Sequence, residues 1–503
     1  MSGWGSGYVT DVTYLPAYYR QQSPAVMAIA AALGGVACDL PAPDAAIHYL
    51  ELGCGLGFGA TLLAASNPGW QVTAIDFNPA HIAEARRTAA ACGLANIRFL
   101  EADLATLAED QVGRDLPGAD FVSLHGVWSW VPAPVQAGIV RLLAAKVNPG
   151  GAVHLSYNAL PGWSGGLALQ RLLREAGKRL GYRSDRQAEE GLKLVRALQA
   201  TGAKELQSPM ARELLERLGS VPPAYLAHEY MNENWKPLFH AEVAQALAPA
   251  KLEFVASADL INNFAALNLT EEQRALARPF DDPLLRELIG DVCTGRMLRH
   301  DVFVRGARRI DPRLRDAGLR EIWLAGNIPE AEMRYELETP SGTAELSPGF
   351  YRPIMTALQD GPRRVGDLLT LPELGGARDN PAELVGVLVG LGAAVPVLRP
   401  GAPPHPAAQR FNRHFAAALR QDSLETVFLA PAVASHAVGG GLSATQIDLF
   451  VLDRIRAGET VADVPAWIAA LRPVDADSRR KLQAALDASL AGRMRLLRAG
   501  GAV

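Results

Sequence analysis

Residues 49–59 read Tyr49-Leu50-Glu51-Leu52-Gly53-Cys54-Gly55-Leu56-Gly57-Phe58-Gly59 and indicate a strand, a glycine turn and the beginning of a helix. The apolar run that ends at Leu52 predicts a buried strand, and the stretch from Ala60 to Ala65 has a helical pattern. Glycines allow the backbone to approach a ligand closely, and the free amides of a helix N-terminus point at it. The stretch therefore predicts a cradle for a nucleotide.

Two classes of cofactor compete for this cradle. The spacing Gly55-x-Gly57-x-x-Ala60 fits the dinucleotide fingerprint loosely, which alone is a weak signal. Glu51, however, lies just before the glycines, where a carboxylate would repel a pyrophosphate but would attract the amino group of S-adenosylmethionine (SAM). Asp76, at the end of a second strand, is placed for two ribose hydroxyls, and Asp103 after a third strand is placed for an adenine amino group. The residues favour SAM.

Alternating strand and helix patterns predict a doubly wound parallel sheet. We expect five parallel strands from residue 47 to residue 157, followed by a terminal antiparallel hairpin near Leu252–Val255 and Asp301–Val304. Ligands of such sheets bind beyond the carboxyl ends of the strands. Polar and aromatic residues cluster at those ends, and from them we select the candidate catalytic residues His125, Trp128, Trp130, Tyr157 and Asn158.

An aromatic segment precedes the first predicted helix and is a candidate lid over the cofactor. We select Tyr14 and Tyr18 from it, although packing against the core explains each tyrosine equally well. The predicted cofactor-binding residues are Tyr14, Tyr18, Glu51, Gly53, Cys54, Gly55, Gly57, Asp76, Phe77, Asp103, Leu104 and His125.

Composition bounds the remaining possibilities. With 503 residues, 49% of them hydrophobic, the chain predicts two to four domains. A formal net charge of -4 gives no electrostatic case for nucleic acid. The four cysteines form no CxxC pair, so we expect reduced thiols, no metal site and a cytoplasmic location. No apolar run is long enough to span a bilayer.

The patterns divide the chain into four parts. We expect a cofactor-binding core over residues 1–163 and 249–306, a helical insert over 164–248, a winged-helix-like middle domain over 307–400 and a mainly helical C-terminal domain over 401–503. The third helix of the middle domain, residues 381–391, is apolar and carries an acid. It favours an interaction module over a DNA reader.

Residues 47 to 157 resemble the SAM-binding core of a class I (Rossmann-like) methyltransferase, through Glu51-Leu-Gly53-Cys-Gly55-Leu-Gly57, Asp76 and Asp103-Leu104. Other stretches resemble bacterial methyltransferases with a methyltransferase regulatory domain, including the protein-lysine methyltransferases that modify outer-membrane proteins. They are His125-Gly-Val-Trp-Ser-Trp130-Val-Pro, Tyr157-Asn-Ala-Leu-Pro-Gly-Trp163, His228-Glu-Tyr230 with Trp235, and Asp301-Val-Phe-Val-Arg305-Gly. The resemblance implies a SAM-dependent enzyme and a helical dimerisation insert, hence a homodimer.

Three functions remain open. The first is transfer of a methyl group from SAM to a protein lysine, with His125 as a proton acceptor and Trp128, Trp130 and Tyr157 as an aromatic channel. The second is methylation of a small molecule on oxygen or nitrogen, which needs a closed pocket rather than an open groove between the core and the C-terminal domains. The third is a non-catalytic SAM-binding regulatory protein, which the intact cofactor motif disfavours.

Overall fold

The computed structural model describes residues 5, 7–13, 15–180, 183–219, 221–376, 378–418, 429–471 and 475–502. A seven-stranded sheet organises the core, in the order β3-β2-β1-β4-β5-β7-β6. Its strands are β1 (His48–Leu52), β2 (Gln71–Asp76), β3 (Ile97–Glu101), β4 (Ala119–Leu124), β5 (Val147–Asn158), β6 (Leu252–Ser257) and β7 (Leu298–Arg305). The first five strands pair in parallel, whereas β7 is antiparallel to both β5 and β6. The predicted fold class is confirmed.

Helices cover both faces of this sheet. In the core they are α1 (Pro24–Leu33), α2 (Phe58–Ser66), α3 (Pro79–Ala91), α4 (Gln111–Arg114) and α5 (Ala133–Lys146). One face is buried beneath α5 in a cluster that contains Leu50, Val122 and Leu142. The strand β5 begins before the predicted residue 152, because its pairing with β4 shifts register across the Asn148-Pro-Gly-Gly151 segment.

The segment between β5 and β7 is mainly helical, as predicted. It contains α6 (Leu167–Lys178), α7 (Ser184–Ala200), α8 (Pro209–Leu218), α9 (Pro223–Tyr230) and α10 (His240–Leu247), then β6, and then α11 (Ala265–Asn268), α12 (Glu271–Ala277) and α13 (Pro283–Thr294). The insert has its own core, built around Leu169, Leu173, Val195 and Leu214. Among the described residues, none of the helices combines the length and the apolar character that crossing a membrane requires.

The middle part follows β7. It contains α14 (Pro312–Glu321), β8 (Trp323–Gly326), β9 (Glu336–Thr339), β10 (Gly342–Glu345), α15 (Pro348–Gln359), β11 (Arg363–Arg364), α16 (Val365–Leu369), α17 (Pro381–Gly390) and β12 (Ala394–Val397). The third helix lies where it was predicted, as Pro381–Gly390, although the description as a winged helix stays an interpretation. The helix α17 is buried, and a Cβ added at Gly386 would lie 2.3 Å from the ring of Phe264. Its apolar sequence is therefore explained by packing within this chain.

The C-terminal part packs on the helix that leaves the glycine loop. It contains α18 (Pro406–Ala418), β13 (Ala432–Ser435), β14 (Gly440–Ser443), α19 (Gln446–Arg456), α20 (Val464–Ala470), α21 (Ala476–Ala488) and α22 (Met494–Ala499). The ring of Phe58 in α2 lies 5.4 Å from that of Phe411 and 4.7 Å from that of Phe415. The segment that joins the middle and C-terminal parts is fastened to the core at its start, because Arg399 donates hydrogen bonds to the carbonyl of Pro43 and to Oδ1 of Asn67.

Candidate active site

The glycine loop is held in a conformation that side chains would obstruct. Gly53, Gly55 and Gly57 have φ values of 76°, 53° and 71°, in the left-handed region that favours glycine. A Cβ added at Gly53 would lie 2.3 Å from Cγ2 of Val127, and one at Gly57 would lie 2.5 Å from the ring of Phe99. The amides of Gly53 and Cys54 both donate to the carbonyl of Ile75 in β2, which fastens the loop to the sheet. The loop is thus a rigid backbone cradle.

A cavity of about 860 Å³ lies at the carboxyl ends of the parallel strands. Each of β1 to β5 contributes residues to it, at its end or in the loop that follows. The predicted residues that line it are Glu51, Gly53, Cys54, Gly55, Asp76, Phe77, Asp103, Leu104, His125, Trp130 and Asn158. Gly57 supports the loop as the N-cap of α2 rather than lining the cavity.

Glu51 is a buried carboxyl group with one unused oxygen. It is 5% exposed, and its Oε1 accepts a 3.5 Å hydrogen bond from Nε2 of Gln22. Within the described part of the chain, Oε2 has no hydrogen-bond partner. Burial raises the pKa of Glu51 to about 8, with a smaller contribution from Asp76 and against the effect of Gln22. A ligand ammonium would supply the missing partner, which is what the amino group of SAM offers.

Asp76 and Asp103 are held by neighbouring backbone amides. Oδ2 of Asp76 accepts from the Gly55 amide at 2.8 Å and Oδ1 accepts from the Asn78 amide at 2.9 Å. An ionised carboxylate has about four lone-pair sites, so Asp76 retains acceptors for ribose hydroxyls. Oδ1 of Asp103 accepts from the Ala105 amide at 2.8 Å. The residues present therefore fit the parts of SAM that they were predicted to hold.

The far end of the cavity contains histidine, tryptophan and amide side chains. The His125 ring lies 3.9 Å from the ring of Tyr19, and its Nδ1 is 3.2 Å from Oγ of Ser156. Burial, reinforced by His300, holds the pKa of His125 well below its usual range, so the imidazole is neutral. Trp130 lines the same end, and Nδ2 of buried Asn158 has no hydrogen-bond partner among the described residues. This end is suited to an acceptor with a polar nitrogen or oxygen.

Three predicted residues lie away from the cavity. Trp128 is 1% exposed and packs in the core beneath the sheet. Tyr157 points to the opposite face of β5 from Asn158, and its hydroxyl donates to Oδ2 of Asp301 at 2.7 Å. Tyr18 packs against β14, where a Cβ added at Gly441 would lie 2.7 Å from its ring. The structure therefore does not support substrate contact by Trp128 or Tyr157, or cofactor contact by Tyr18. Tyr14 lies outside the described residues.

The sequence did not identify several residues that line the cavity. The prediction of an N-terminal lid selected the wrong tyrosine, because Tyr19 and Gln22 line the cavity rather than Tyr18. The insert also reaches the cavity through His228 and Glu229, neither of which was among the predicted site residues. No lining residue among the described ones comes from beyond residue 300, so no open groove toward the C-terminal parts forms this cavity.

The prediction of no metal site considered cysteine spacing only. The structure brings His125, His154 and His300 together, with one nitrogen of each within 4.8 Å of the others. Two of them, His125 and His300, line the cavity.

Two family models match the chain. The model described as a methyltransferase domain matches residues 50–151, and that described as a predicted methyltransferase regulatory domain matches residues 222–305. The first covers the glycine loop and the parallel strands. The second runs from α9 through β7 and so crosses the boundary that was predicted between insert and core.

Relatives and solved structures extend this likeness over almost the whole chain. The uncharacterized protein sll1526 of Synechocystis is 32% identical over 454 residues, which cover 89% of this chain and 87% of that protein. The structure of PKMT2 from Rickettsia typhi in complex with AdoHcy superposes on 96% of this chain and 99% of that chain, with a TM-score of 0.67 and 15% sequence identity. The two chains therefore share the fold. Trans-aconitate 2-methyltransferase of Methylobacterium nodulans is 31% identical over 106 residues, 21% of this chain and 36% of that enzyme.

The glycine cradle, the unsatisfied carboxylate at the end of β1 and the two matched models agree on one cofactor and one reaction class. The chain belongs to the class I methyltransferases that carry a methyltransferase regulatory domain, and it is a SAM-dependent enzyme.

Proposed function

We propose that the enzyme transfers the methyl group of SAM to the side-chain nitrogen of a protein lysine. The observation that carries the proposal is the neutral character of the acceptor end of the cavity. His125 and His300 both have a lowered pKa there because of burial, and Asn158 presents an unpartnered amide. The structural likeness over 96% of this chain to PKMT2 from Rickettsia typhi, which was solved in complex with AdoHcy, is consistent with a methyl transfer of this kind.

Lysine methylation requires a neutral amine, yet a free lysine has a pKa near ~10.4. An apolar, water-poor cavity lowers that pKa, and so does a neighbouring cation. SAM supplies the methyl group on a positively charged sulfur, so a lysine placed beside it meets the second condition. Trp130 adds an aromatic wall, whose face attracts a cation while excluding water.

Alignment is the other task of the site. Holding an amine in line with the methyl group lowers the barrier by on the order of 7 to 11 kcal/mol. The rigid glycine loop fixes one reactant, and the side chains of His125 and Asn158 are placed to fix the other. In this assignment His125 and Asn158 both line the part of the cavity that receives the acceptor.

Methylation of a small molecule is the second candidate, because one observation favours it. The N-terminal segment and the insert wall the cavity, through Gln22, Tyr19, His228 and Glu229. A cavity walled in this way is what a small acceptor needs. Its volume of about 860 Å³ lies toward the upper end of the range of about 300–1,000 Å³ for ligand pockets, so SAM leaves room for an acceptor.

The two candidates separate on where the methyl group goes. Purified enzyme is incubated with methyl-labelled SAM and a cell lysate whose small molecules have been removed and then added back as a separate fraction. Protein is then precipitated with acid. Label in the protein pellet, absent with Glu51→Gln enzyme, supports the lysine acceptor. Label confined to the soluble fraction assigns the enzyme to a small molecule. A matched control is Glu84→Gln, an exposed residue of α3 whose partner is Arg87 on the same helix.

A further inference from the structure

A pair of histidines lies at the acceptor end of the cavity, and no step of the methyl transfer has been assigned to it so far. His154 in β5 is fully buried, and His300 in β7 is 5% exposed and lines the cavity. Nε2 of His154 is 3.0 Å from Nδ1 of His300. Both side chains come from adjacent antiparallel strands, so the sheet itself fixes their separation.

The geometry of the pair is that of a straight hydrogen bond. The ring centroids are 5.3 Å apart and the ring planes differ by 14°. The separation of the centroids equals the 3.0 Å nitrogen–nitrogen distance plus the radius of each ring. Both nitrogens therefore lie on the line that joins the two centroids. Each lone-pair axis therefore points directly at the other ring.

This arrangement fits a shared proton better than a metal ion. A zinc ion bound by three histidines needs nitrogen lone pairs that converge on one point, ~2.0–2.1 Å from each nitrogen. The axes of His154 and His300 oppose each other instead of converging on a point beside them. The third ring of the set, that of His125, has its centroid 5.4 Å from the centroid of the His300 ring.

The second ring nitrogen of His154 also has a hydrogen-bond partner, which bears on where the protons of the pair lie. Nδ1 of His154 is 3.1 Å from Oγ of Ser123, which accepts a hydrogen bond from Gln22 at 3.1 Å. If Nδ1–H of His154 donates to Ser123, Nε2 of His154 accepts from Nδ1–H of His300. In that tautomer Nε2 of His300 is unprotonated and is the nitrogen left for the cavity.

We propose that Nε2 of His300, supported by its hydrogen bond to His154, accepts the proton that the substrate ammonium must lose before it is methylated. The inference rests on the proposed lysine acceptor. The proton moves from the ammonium nitrogen to Nε2, the freed lone pair forms the bond to the methyl carbon, and the carbon–sulfur electron pair stays on sulfur. The proton leaves His300 for water once the products depart. His300 is the catalytic residue in this step, and His154 is a positioning residue.

The surroundings of the pair keep it neutral until a proton arrives. Burial lowers the pKa of His300, and it lowers the pKa of His154 further, with contributions from the other histidines. Two neutral, hydrogen-bonded imidazoles share an added proton, which offsets part of the cost of a buried charge. The charged and titratable groups that face the pair are Arg20, His125, Asp259 and Asp301.

The test compares His300→Gln, His154→Gln and wild-type enzyme in methyl transfer to lysate protein at saturating SAM between pH 4.5 and 10. We expect His300→Gln to reduce transfer at pH 7 about 100-fold or more, the usual contribution of a general base. The deficit should shrink about tenfold per pH unit above neutrality, because the amine then loses its proton unaided. His154→Gln should move the acid limb of the profile to lower pH, since the unsupported His300 is less basic. His405→Gln, at a second histidine pair in the C-terminal part, is the control.

A readout that needs neither cofactor nor acceptor accompanies the assay. Histidine ¹⁵N spectra of the wild-type enzyme should show a His300 ring protonated on Nδ1 alone, and this signal should change in His154→Gln. SAM affinity, measured by calorimetry, should be unchanged in both variants, which also shows that they fold.

Three results overturn the inference. They are an unchanged pH profile in folded His300→Gln, a His300 ring protonated on Nε2 at neutral pH, and one equivalent of tightly bound metal that His154→Gln loses. If wild-type enzyme labels only small molecules, the lysine proposal fails and this inference fails with it. If wild-type enzyme labels protein and His300→Gln does so equally well, the lysine proposal stands and only the assignment of His300 as proton acceptor fails.

Discussion

Binding of SAM should release a proton from Glu51. Burial raises the pKa of this carboxyl group to about 8, so in the free enzyme it is mostly protonated at pH 7. The ammonium group of SAM requires the ionised form. One pKa unit corresponds to a factor of ten, so about 0.9 proton should leave Glu51 per SAM bound at pH 7. The amino group of SAM, with a pKa of about 7.7–8.0, takes up about 0.1 to 0.2 proton at that pH to bind as an ammonium, so the net release should be about 0.7 to 0.8 proton at pH 7 and close to zero at pH 8.

The same linkage sets the affinity. Below pH 8 the dissociation constant should rise about tenfold for each unit of pH, to about 100-fold at pH 6, or about 2.7 kcal/mol. Above pH 8 the dissociation constant should stop falling and then rise again, because the amino group of the ligand, with a pKa of about 7.7–8.0, loses its own charge. The alkaline limb belongs to the ligand and the acid limb to Glu51.

Ionisation of Glu51 strengthens SAM binding but should lower the folding stability of the free enzyme as pH rises. A carboxyl group whose pKa is raised on folding contributes most below its unfolded pKa and loses that contribution as pH rises through the folded value. For Glu51 the cost reaches about 3 kcal/mol at pH 7, taking the shift from 4.5 toward about 8. Glu51→Gln should therefore raise the melting temperature of the free enzyme at pH 7 to 8, but not at pH 4, while it weakens SAM binding.

Calorimetry in two buffers with different ionisation enthalpies measures the released protons directly. The comparison of wild-type with Glu51→Gln enzyme assigns them. No proton release at pH 7, or equal release from Glu51→Gln, would refute the assignment of Glu51 as the partner of the SAM ammonium.

Three further predictions concern the loop, the core and the C-terminal contact. Gly53→Ala should abolish SAM binding in calorimetry, because its Cβ would lie 2.3 Å from a neighbouring methyl group; Gly35→Ala, with the same sign of φ and open space around it, should not. Asp301→Asn should lower the free energy of unfolding by about 1.5 to 3 kcal/mol in urea titrations, since it removes one of the three carboxylates that pair with buried Arg299 and leaves Asp291 and Glu287 in place. Burial alone would raise the pKa of Asp301, but Arg299 holds it low, so this stability should be lost as pH falls below about 4, the ordinary range of an aspartate. Phe411→Ala should cost about 3 to 5 kcal/mol and weaken SAM binding, because this ring packs on the helix that begins at the glycine loop, and wild-type affinity in that variant would disprove the coupling.

The sequence predicted what is local in the chain. The glycine loop, Glu51, Asp76 and Asp103 each follow or end a strand with a strong apolar pattern, and the convergence of parallel strand ends then places them together. These residues needed no long-range information beyond the topology.

The residues that the sequence missed or placed wrongly depend on side-chain alternation along a strand and on pairing between distant segments. Tyr157 and Asn158 are adjacent, and only the registry of β5 decides which of them faces the cavity. His154 and His300 are far apart in the chain and meet because β5 and β7 are neighbours. Gln22 reaches Glu51 from an N-terminal turn whose position depends on packing against the C-terminal part, where the Tyr18 amide bonds to the carbonyl of Ala430.

The chemical form of the transferred methyl group tests the proposed function most directly. Protein labelled by the enzyme is treated with base, which releases methyl esters as methanol, and is then hydrolysed in acid for amino-acid analysis. The proposed function predicts base-stable label that co-migrates with methylated lysine and disappears with Glu51→Gln enzyme. Label released as methanol, or label in no amino acid of the protein, would contradict it.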